Sequence, residues 1–363
     1  MNNLHDLLNL YHVPGVGPTR FRALLGAFQS AGAVFKASTG ALAQIPGIDQ
    51  RTAQAVKSYT DDGFAERQLT QLKKTGARLI TCLDAEYPSN LKTIHDPPGI
   101  LFVKGDLQPE DQFALAIVGS RKPSDYGILV TERLASTLAS QGFCIISGMA
   151  VGVDTLAHKG ALKAGGRTLA VLGSGLDVIY PPSNKKLYEQ ICNHGAVISE
   201  YPFGTKPDPG NFPQRNRVIS GLSLGVVITE ARKDSGSLIT GNHALDQNRE
   251  VYAIPGPITS KLSVGCHELI QSGAKLVQSI ENITEELGSK IAPLMHKELE
   301  PATPPDLTPD EQAVIQTLKS EAQYIDVLSA QCNRASSETL GILLMLELKG
   351  LVKQLPGKQF MRI

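Results

Sequence analysis

The sequence contains no tryptophan, only 5% aromatic residues and no excess of either charge, since 35 Lys and Arg balance 35 Asp and Glu. This balance excludes a disordered polyelectrolyte and a uniformly basic nucleic-acid coat protein. No apolar run approaches the ~20 residues that a membrane-spanning helix needs. The first residues also lack the basic and apolar regions of a secretory signal. We therefore expect a cytoplasmic protein without a membrane partner.

Cysteine is sparse as well, with five residues that are never spaced as CxxC. An odd number of scattered cysteines argues against a disulfide framework and against a structural zinc site. The sequence shows no other cluster of metal-ligand residues and no recognisable nucleophile–histidine arrangement. We accordingly predict a reducing compartment, no metal, no cofactor and no catalytic residues.

Four zones are present in the 363 residues. Residues 1–80 have a helical pattern interrupted by two Pro-Gly turns, and residues 81–287 alternate short β-branched runs with helical stretches. A Pro-rich segment at 288–308 is typical of a linker. Residues 309–363 return to helical periodicity and end in a hairpin-like stretch. These zones predict three folded modules and one linker.

The zone 81–287 carries the clearest pattern. Near-continuous apolar runs that alternate with helices indicate a parallel sheet covered on both faces. The sequence therefore predicts a doubly wound α/β fold, to which 78–82 and 100–103 add edge strands. The predicted central strands are 113–118, 143–146, 168–172, 196–199, 226–229 and 251–254.

Small and polar residues follow most of these strands. Glycine lets the backbone approach a ligand closely, and helix N-termini present free N–H groups to an anion. Since ligands bind beyond the carboxyl ends of parallel strands, this arrangement predicts a phosphate-binding edge on which Arg121 offers a bidentate fork. The alternative is that these glycines only form tight turns. The clusters are Gly119-Ser120-Arg121, Ser147-Gly148, Gly173-Ser174-Gly175 and Gly236-Ser237.

Known nucleotide fingerprints are absent. The sequence has no GxxxxGK[ST] segment, which excludes a Walker-type triphosphate site. A dinucleotide fingerprint starting at Gly173 would need a glycine where Val178 stands. The predicted edge therefore does not correspond to a standard nucleotide site.

A second candidate site lies around Phe212, Arg215, Asn216 and Arg217. Two arginines beside an aromatic ring suit a phosphodiester backbone with a stacked base. Because prolines at 207, 209 and 213 favour an extended chain, we predict a presented loop here rather than a helix. The alternative is a solvated loop whose arginines pair with Glu200 or Glu230.

Only one pair of residues suggests acid–base chemistry. His158 follows Asp154 by four positions on a predicted helix. The favoured interpretation is that Asp154 is the helix N-cap and that His158 is an ordinary helix residue. No reaction is predicted from this pair.

Five motifs in chain order resemble those of the bacterial DNA-processing protein A family (DprA, also called Smf). They are Gly119-Ser-Arg, Ser147-Gly-Met-Ala-x-Gly-x-Asp, Gly173-Ser-Gly-Leu-Asp-x-x-Tyr-Pro, Phe212-Pro-x-Arg-Asn-Arg-x-Ile-Ser and Ser235-Gly-Ser-Leu-Ile-Thr. The resemblance implies an extended Rossmann-like domain that binds single-stranded DNA and is not an enzyme. It further implies a homodimer that protects incoming strands in natural transformation, or competence, and loads the RecA recombinase.

The resemblance also implies roles for individual residues. Phosphate ligands would be Gly119, Ser120, Arg121, Arg215 and Arg217, and Phe212 would stack on a base. The remaining members of the predicted DNA-binding set are Ser147, Gly148, Lys159, Gly173, Ser174, Gly175, Lys185, Asn216, Gly236 and Ser237. Two alternatives remain open: a Rossmann-like nucleotide N-glycoside hydrolase or other nucleotide-binding enzyme, with Glu230 as its candidate acid, and a purely structural scaffold.

The flanking modules resemble known DNA-binding folds. The turns at 14–17 and 46–48 are similar to helix-hairpin-helix motifs, which leaves open whether they contact DNA or only connect helices. The C-terminal module has winged-helix order, but its third helix, 337–349, has one Lys against two Glu. We therefore predict a protein-contact or auxiliary role for that module.

Overall fold

The computed structural model describes residues 3–295, 307–318, 323–348, 351–355, 357 and 359–362. The chain divides into two compact units, Met1–Leu294 and Met295–Ile363. Each unit has its own buried apolar core. No helix within the described residues is long and apolar enough to cross a bilayer.

The first unit begins with six helices. One Pro-Gly turn follows the first helix and another follows the fourth, and in them Gly15 and Gly47 have φ angles of +85° and +84°. Arg20 ties the turns together, since its guanidinium donates to the carbonyl oxygens of Gly15 and Gly47 at 3.0 and 2.9 Å. The helices are α1 Leu4–His12, α2 Pro18–Phe28, α3 Ala31–Lys36, α4 Thr39–Ala43, α5 Gln50–Ser58 and α6 Phe64–Thr75.

A nine-stranded sheet forms the rest of this unit. Its strand order is β1-β2-β6-β5-β4-β3-β7-β8-β9, and only the β1–β2 and β2–β6 pairs are antiparallel. The strands are β1 Arg78–Thr81, β2 Ile100–Gly105, β3 Ala114–Val118, β4 Cys144–Ser147, β5 Thr168–Leu172, β6 Gly195–Ser199, β7 Gly225–Ile228, β8 Glu250–Ala253 and β9 Lys275–Leu276. The order reverses between β3 and β7, which makes this junction the topological switch point.

Helices cover both faces of the sheet. They are α7 Ser89–Lys92, α8 Asp125–Ser140, α9 Val153–Lys163, α10 Lys185–His194, α11 Asn211–Leu222, α12 Gly236–Asp246, α13 Val264–Gln271, α14 Glu281–Leu287 and α15 Ala292–Met295, with 3₁₀ turns at Pro109–Gln112, Pro182–Asn184 and Gly288–Ile291. Alternate residues of β3 face opposite sides, as a β-strand requires. Ala116 packs in the core shared with α11, whereas Leu115 packs in the core shared with α8 and α9.

The predicted doubly wound α/β fold is confirmed. Residues 3–75 share an apolar core with β2, β5 and β6 within the same compact unit. The predicted linker starts too early, because Ile291 and Leu294 are buried in the core beneath α8 and α9. Residues 296–306 of that segment lie outside the described residues.

The second unit has winged-helix order, as predicted. Three helices, α16 Pro309–Thr317, α17 Ile325–Cys332 and α18 Ser336–Leu348, accompany a three-stranded antiparallel sheet of β10 Gln323–Tyr324, β11 Val352–Leu355 and β12 Gln359–Arg362. Thr308 and Glu311 form a capping box at the start of α16. Val314, Leu343 and Phe360 belong to the apolar core of the second unit.

Candidate nucleic-acid interface

A cleft of about 440 Å³ opens at the switch point, where β3 and β7 pair side by side. The loops after β3, β4 and β7 and the first turns of α11 and α12 meet there. We call it the switch-point cleft. Its lining includes Gly119, Arg121, Ala150, Asp154, Tyr180, Pro209, Phe212, Pro213, Arg215, Asn216, Ile219, Ser235, Gly236, Ser237, Ile239 and Thr240.

Arg121 is the exposed cation of this cleft. Its guanidinium carbon lies 5.7 Å from the centre of the Phe212 ring. Among the described residues, no carboxylate lies within ion-pair distance of it. The loop that carries it is held firmly, because the backbone N–H of Ser120 donates to the Glu230 carbonyl at 2.7 Å and Gly152 packs against the backbone of Ser120 and Arg121. Arg121 is therefore positioned to contact an anion from outside.

Arg215 is the buried cation, with only 5% of its surface exposed. Its guanidinium donates to the carbonyl of Gly148 at 2.8 Å and to that of Val171. A Cβ on Gly148 would lie 2.6 Å from the guanidinium, so this glycine makes room for it. Burial lowers the pKa of Arg215 to about 10, which leaves it charged at neutral pH. It places a fixed positive charge at the wall of the cleft.

Phe212 lies between the two arginines. The guanidinium carbons of Arg121 and Arg215 are 5.7 and 5.9 Å from its ring centre, within the range of cation–π contacts. The Tyr180 ring is 5.8 Å away, and a Cβ on Gly173 would be 3.0 Å from the Phe212 ring. The ring is half-buried and lines the cleft.

The prediction of an extended loop around these residues is wrong, because 211–222 form helix α11. Pro213 occupies the first turn, where the backbone N–H groups have no partner within the helix and a proline costs little. Helical spacing puts Phe212, Arg215 and Asn216 on one face, and all three line the cleft. The helix therefore brings Phe212, Arg215 and Asn216 together at the cleft, which the predicted loop did not specify.

Arg217 lies on another face of α11 and does not line the cleft. Its guanidinium donates to Glu200 Oε2 at 2.5 Å and to the Asp96 carbonyl at 2.6 Å. Both Arg217 and Glu200 are buried. The alternative pairing of an arginine with Glu200 is thus confirmed for Arg217, and the structure gives this residue a role in packing rather than at the predicted edge.

Asp154 also departs from its expected role. Helix α9 begins at Val153 after Gly152, so Asp154 is not the N-cap. Its carboxylate instead accepts from the backbone N–H groups of Gly148 and Ala150 at 3.1 and 3.3 Å. Burial raises the pKa of Asp154, and the positive charge of Arg215 opposes this shift. Asp154 therefore organises the loop after β4 and also lines the cleft.

His158 is fully buried and neutral. The Thr168 hydroxyl donates to the Ile145 carbonyl, so the His158 Nδ1–H donates to that hydroxyl at 2.7 Å. Burial, followed by the charge of Arg215, lowers the pKa of His158 to about 3 from 6.5. The imidazole is therefore neutral at neutral pH and a weak base, which argues against the acid–base interpretation.

His158 should make the stability of the first unit depend on pH. Between pH 6.5 and 3 the unfolded chain holds a proton on this residue that the folded chain lacks. The free energy of unfolding is therefore expected to fall by about 2 kcal/mol from pH 7 to pH 5 through His158 alone. Urea unfolding at both pH values, compared with His158→Gln, measures this contribution. An unchanged pH slope in the variant would contradict the assignment.

The other predicted residues divide into three groups. Gly119, Gly236 and Ser237 line the cleft beside Arg121, Phe212, Arg215 and Asn216. Lys159 and Lys185 are exposed but outside it. Ser120, Ser147, Gly148, Gly173, Ser174 and Gly175 shape the loops around it, for example through the hydrogen bonds of the Ser147 and Ser174 hydroxyls to the Ile117 and Val178 carbonyls at 2.7 and 2.8 Å.

Glu230, the candidate acid, anchors the start of α8. Its carboxylate accepts from the backbone N–H of Ser124 at 2.9 Å and from the Ser124 hydroxyl at 2.5 Å. A Cβ on Gly127 would clash with it at 2.3 Å, which shows how closely the helix packs on this side chain. Glu230 is buried and does not line the cleft.

Sequence reasoning left Tyr180, Ser235 and Thr240 out of the predicted DNA-binding set, although all three belong to the family motifs, and the structure places them in the cleft lining. Ser235 caps α12, and its hydroxyl lies 2.8 Å from that of Ser237. The available signal was adjacency, since Ser235 immediately precedes the predicted Gly236-Ser237 cluster and Thr240 lies one helical turn beyond it.

Comparison with protein families decides the relationship. The family model of DNA recombination-mediator protein A matches residues 78–288, more than half of the chain. The chain belongs to the DprA/Smf family. Residues 298–358 match the DprA winged helix domain, and residues 6–59 match a SAM-like helix-hairpin-helix tandem. The family resemblance of the five motifs and the flanking modules is thereby confirmed.

Relatives of this DprA/Smf chain extend over most of its length. Protein Smf of Escherichia coli is 39% identical over 86% of the chain and 85% of the relative. DNA processing protein DprA of Bacillus subtilis is 40% identical over 66% of the chain and 82% of the relative.

Two solved structures share this fold. DprA from Streptococcus pneumoniae matches with a TM-score of 0.69 and 37% identity, covering 79% of this chain and 99% of that one. DprA from Helicobacter pylori, described for its single-stranded DNA binding mode, matches with a TM-score of 0.52 and 33% identity over 58% and 95% of the two chains.

Proposed function

We propose that this protein binds single-stranded DNA at the switch-point cleft. One observation carries the proposal: the exposed Arg121 and the buried Arg215 both lie against Phe212, and neither has an ion-pair partner among the described residues. The nearby Asp154 carboxylate offsets part of the Arg215 charge without forming an ion pair with it, so an anionic ligand between Arg121 and Arg215 would still replace solvation that burial removed. A nucleotide supplies both that anion and a base that can stack.

The groups at this edge of the sheet can bind single-stranded DNA without a preference for its sequence. Gly236 has open space where a side chain would stand and allows a sugar-phosphate backbone to approach closely, and the first turn of α12 presents backbone N–H groups to a phosphate. Such contacts recognise phosphate and the faces of bases rather than base edges. Single strands are preferred over duplexes because only an unpaired base exposes its face to Phe212.

The wider role follows from the family. The DprA relatives of Bacillus subtilis and Streptococcus pneumoniae are named for DNA processing. We propose that this chain, as a homodimer, protects incoming single strands in natural transformation and passes them to a RecA recombinase. RecA nucleation on an oligonucleotide, with and without the protein, tests this step. An unchanged nucleation rate would contradict it.

Fluorescence anisotropy with labelled oligothymidine tests the primary proposal. Affinity should be higher for the single strand than for the corresponding duplex. The logarithm of the binding constant should fall linearly with the logarithm of salt concentration, by about 0.7 for each phosphate contacted. Equal affinity for both forms, or no dependence on salt, would contradict the proposed interface.

Phe212→Ala is expected to weaken single-strand binding by about 1–3 kcal/mol, the range for one stacked base. The salt dependence should stay nearly constant, because no phosphate ligand is lost. Phe143→Ala is unsuitable as a control since that ring is fully buried in the core. Phe28→Ala, a partly buried ring in the N-terminal helices, is the matched control. Equal affinities for Phe212→Ala and the unmodified protein would remove the stacking role.

A further inference from the structure

The switch-point cleft has the dimensions of a small-molecule site. Its volume of about 440 Å³ lies within the range of about 300–1,000 Å³ typical of ligand pockets. The two cationic side chains in its lining are Arg121 and Arg215, whereas Lys159 and Lys185 lie outside it. With the Asp154 carboxylate also in the lining, this charge suits a single phosphate, whether it belongs to a free nucleotide or to one residue of a bound DNA strand.

The position of the cleft in the fold also indicates a small-molecule site. The cleft lies between the loops after β3 and β7, where the order of parallel strands reverses. In doubly wound sheets, this crevice beyond the carboxyl ends of the strands is where nucleotide-type ligands bind. The chain lacks the standard nucleotide fingerprints, so the location rather than a sequence motif indicates the ligand.

The lining provides complementary contacts for both ends of a nucleotide. Arg215 is more than nine-tenths buried, and its guanidinium donates to the carbonyls of Gly148 and Val171 and to the amide oxygen of Asn216. None of these oxygens carries a charge, and the Asp154 carboxylate acts on Arg215 only through space, without forming an ion pair with it. The half-buried Phe212 ring offers an apolar surface beside that charge.

We propose that the switch-point cleft binds a free nucleoside 5′-monophosphate, which competes there with single-stranded DNA. The phosphate contacts Arg121 and Arg215, and the base packs against Phe212. The expected competition rests on the proposed function, in which single-stranded DNA binds at this cleft. Nucleotides released by strand degradation would then reduce the affinity of the protein for DNA.

Equilibrium dialysis with deoxythymidine monophosphate measures direct binding. The unmodified chain should bind one nucleotide, and Arg121→Ala and Phe212→Ala should each bind it at least about tenfold more weakly. Arg133→Ala is the matched control, since Arg133 is an exposed arginine on α8 outside the cleft. Absence of binding to the unmodified protein, or equal weakening by Arg133→Ala, would overturn the inference.

Competition then tests whether the sites coincide. With nucleotide at twice its own dissociation constant, the apparent Kd of a short oligothymidine should rise about threefold at constant ionic strength. Inorganic phosphate and thymidine at the same concentration should each produce a smaller rise. An equal effect of phosphate alone overturns nucleoside recognition, and bound nucleotide without competition overturns the shared site.

The two proposals fail in different ways. Failure of the oligonucleotide to bind overturns single-strand binding, while dialysis still decides nucleotide binding. Normal oligonucleotide binding without nucleotide binding overturns only the present inference.

Discussion

Arg121→Ala is expected to weaken single-stranded DNA binding by about 1–3 kcal/mol, roughly five- to 150-fold. The side chain is exposed, has no carboxylate partner among the described residues and contacts Phe212 through a cation–π interaction. Its loss therefore removes a phosphate contact without leaving a buried charge. The salt dependence should fall by about 0.7, the contribution of one phosphate of a single strand. Anisotropy titrations at several salt concentrations measure both quantities.

Arg133→Ala controls for the loss of one exposed positive charge. It should leave the affinity within about twofold, because screening reduces interactions beyond about 10 Å at 0.1 M salt. Thermal unfolding should be unchanged in Arg121→Ala, since surface substitutions usually alter stability by no more than about 0.5 kcal/mol. If Arg121→Ala binds as the unmodified protein does, the cleft is not the DNA site.

Arg217→Ala should act on stability instead. The variant leaves Glu200 buried without the guanidinium that donates to it at 2.5 Å. Removing one partner of a buried ion pair costs about 3–5 kcal/mol, because the remaining charge stays desolvated. Burial already raises the pKa of Glu200, and Arg217 opposes that rise, so its loss should raise this pKa further. Urea unfolding of the first unit measures the loss.

A double variant distinguishes the effect of losing the ion pair from the effect of losing side-chain volume. Arg217→Met with Glu200→Gln removes both charges of the buried pair and leaves only the partly exposed Asp96 carboxylate, which Arg217 Nε also contacts at 3.2 Å. We expect this double variant to be more stable than Arg217→Ala. At a temperature where Arg217→Ala remains folded, the affinity of Arg217→Ala for single-stranded DNA should stay within about twofold of that of the unmodified protein. If Arg217→Ala is folded but has lost DNA binding, Arg217 contributes to the DNA-binding interface.

The strand ends could be predicted from the sequence because their signal is local. Apolar runs followed by small residues placed Gly119, Arg121, Gly236 and Ser237 at one edge, and the cleft contains all four. The parallel topology then brings these loops together, whatever the details of side-chain packing. This part of the site depended on short segments and a general rule for sheets.

The roles of the two arginines in α11 could not be predicted in this way. Arg215 is buried because Gly148, 67 positions earlier, leaves space for its guanidinium. Arg217 pairs with Glu200 across 17 positions. Both contacts depend on tertiary packing that sequence spacing does not encode. Pro213 was misinterpreted as a helix breaker, although it occupies the first turn.

Hydrogen–deuterium exchange on the full chain, with and without oligothymidine, tests the central claim most directly. We predict slower exchange on DNA binding in the segments that form the cleft, namely 119–124, 148–154, 211–217 and 235–240. The Arg121→Ala variant should show weaker protection in the same segments at equal DNA concentration. Protection confined to 3–59 or 307–362 would contradict the account, because the strand would then bind a flanking module and leave the switch-point cleft empty.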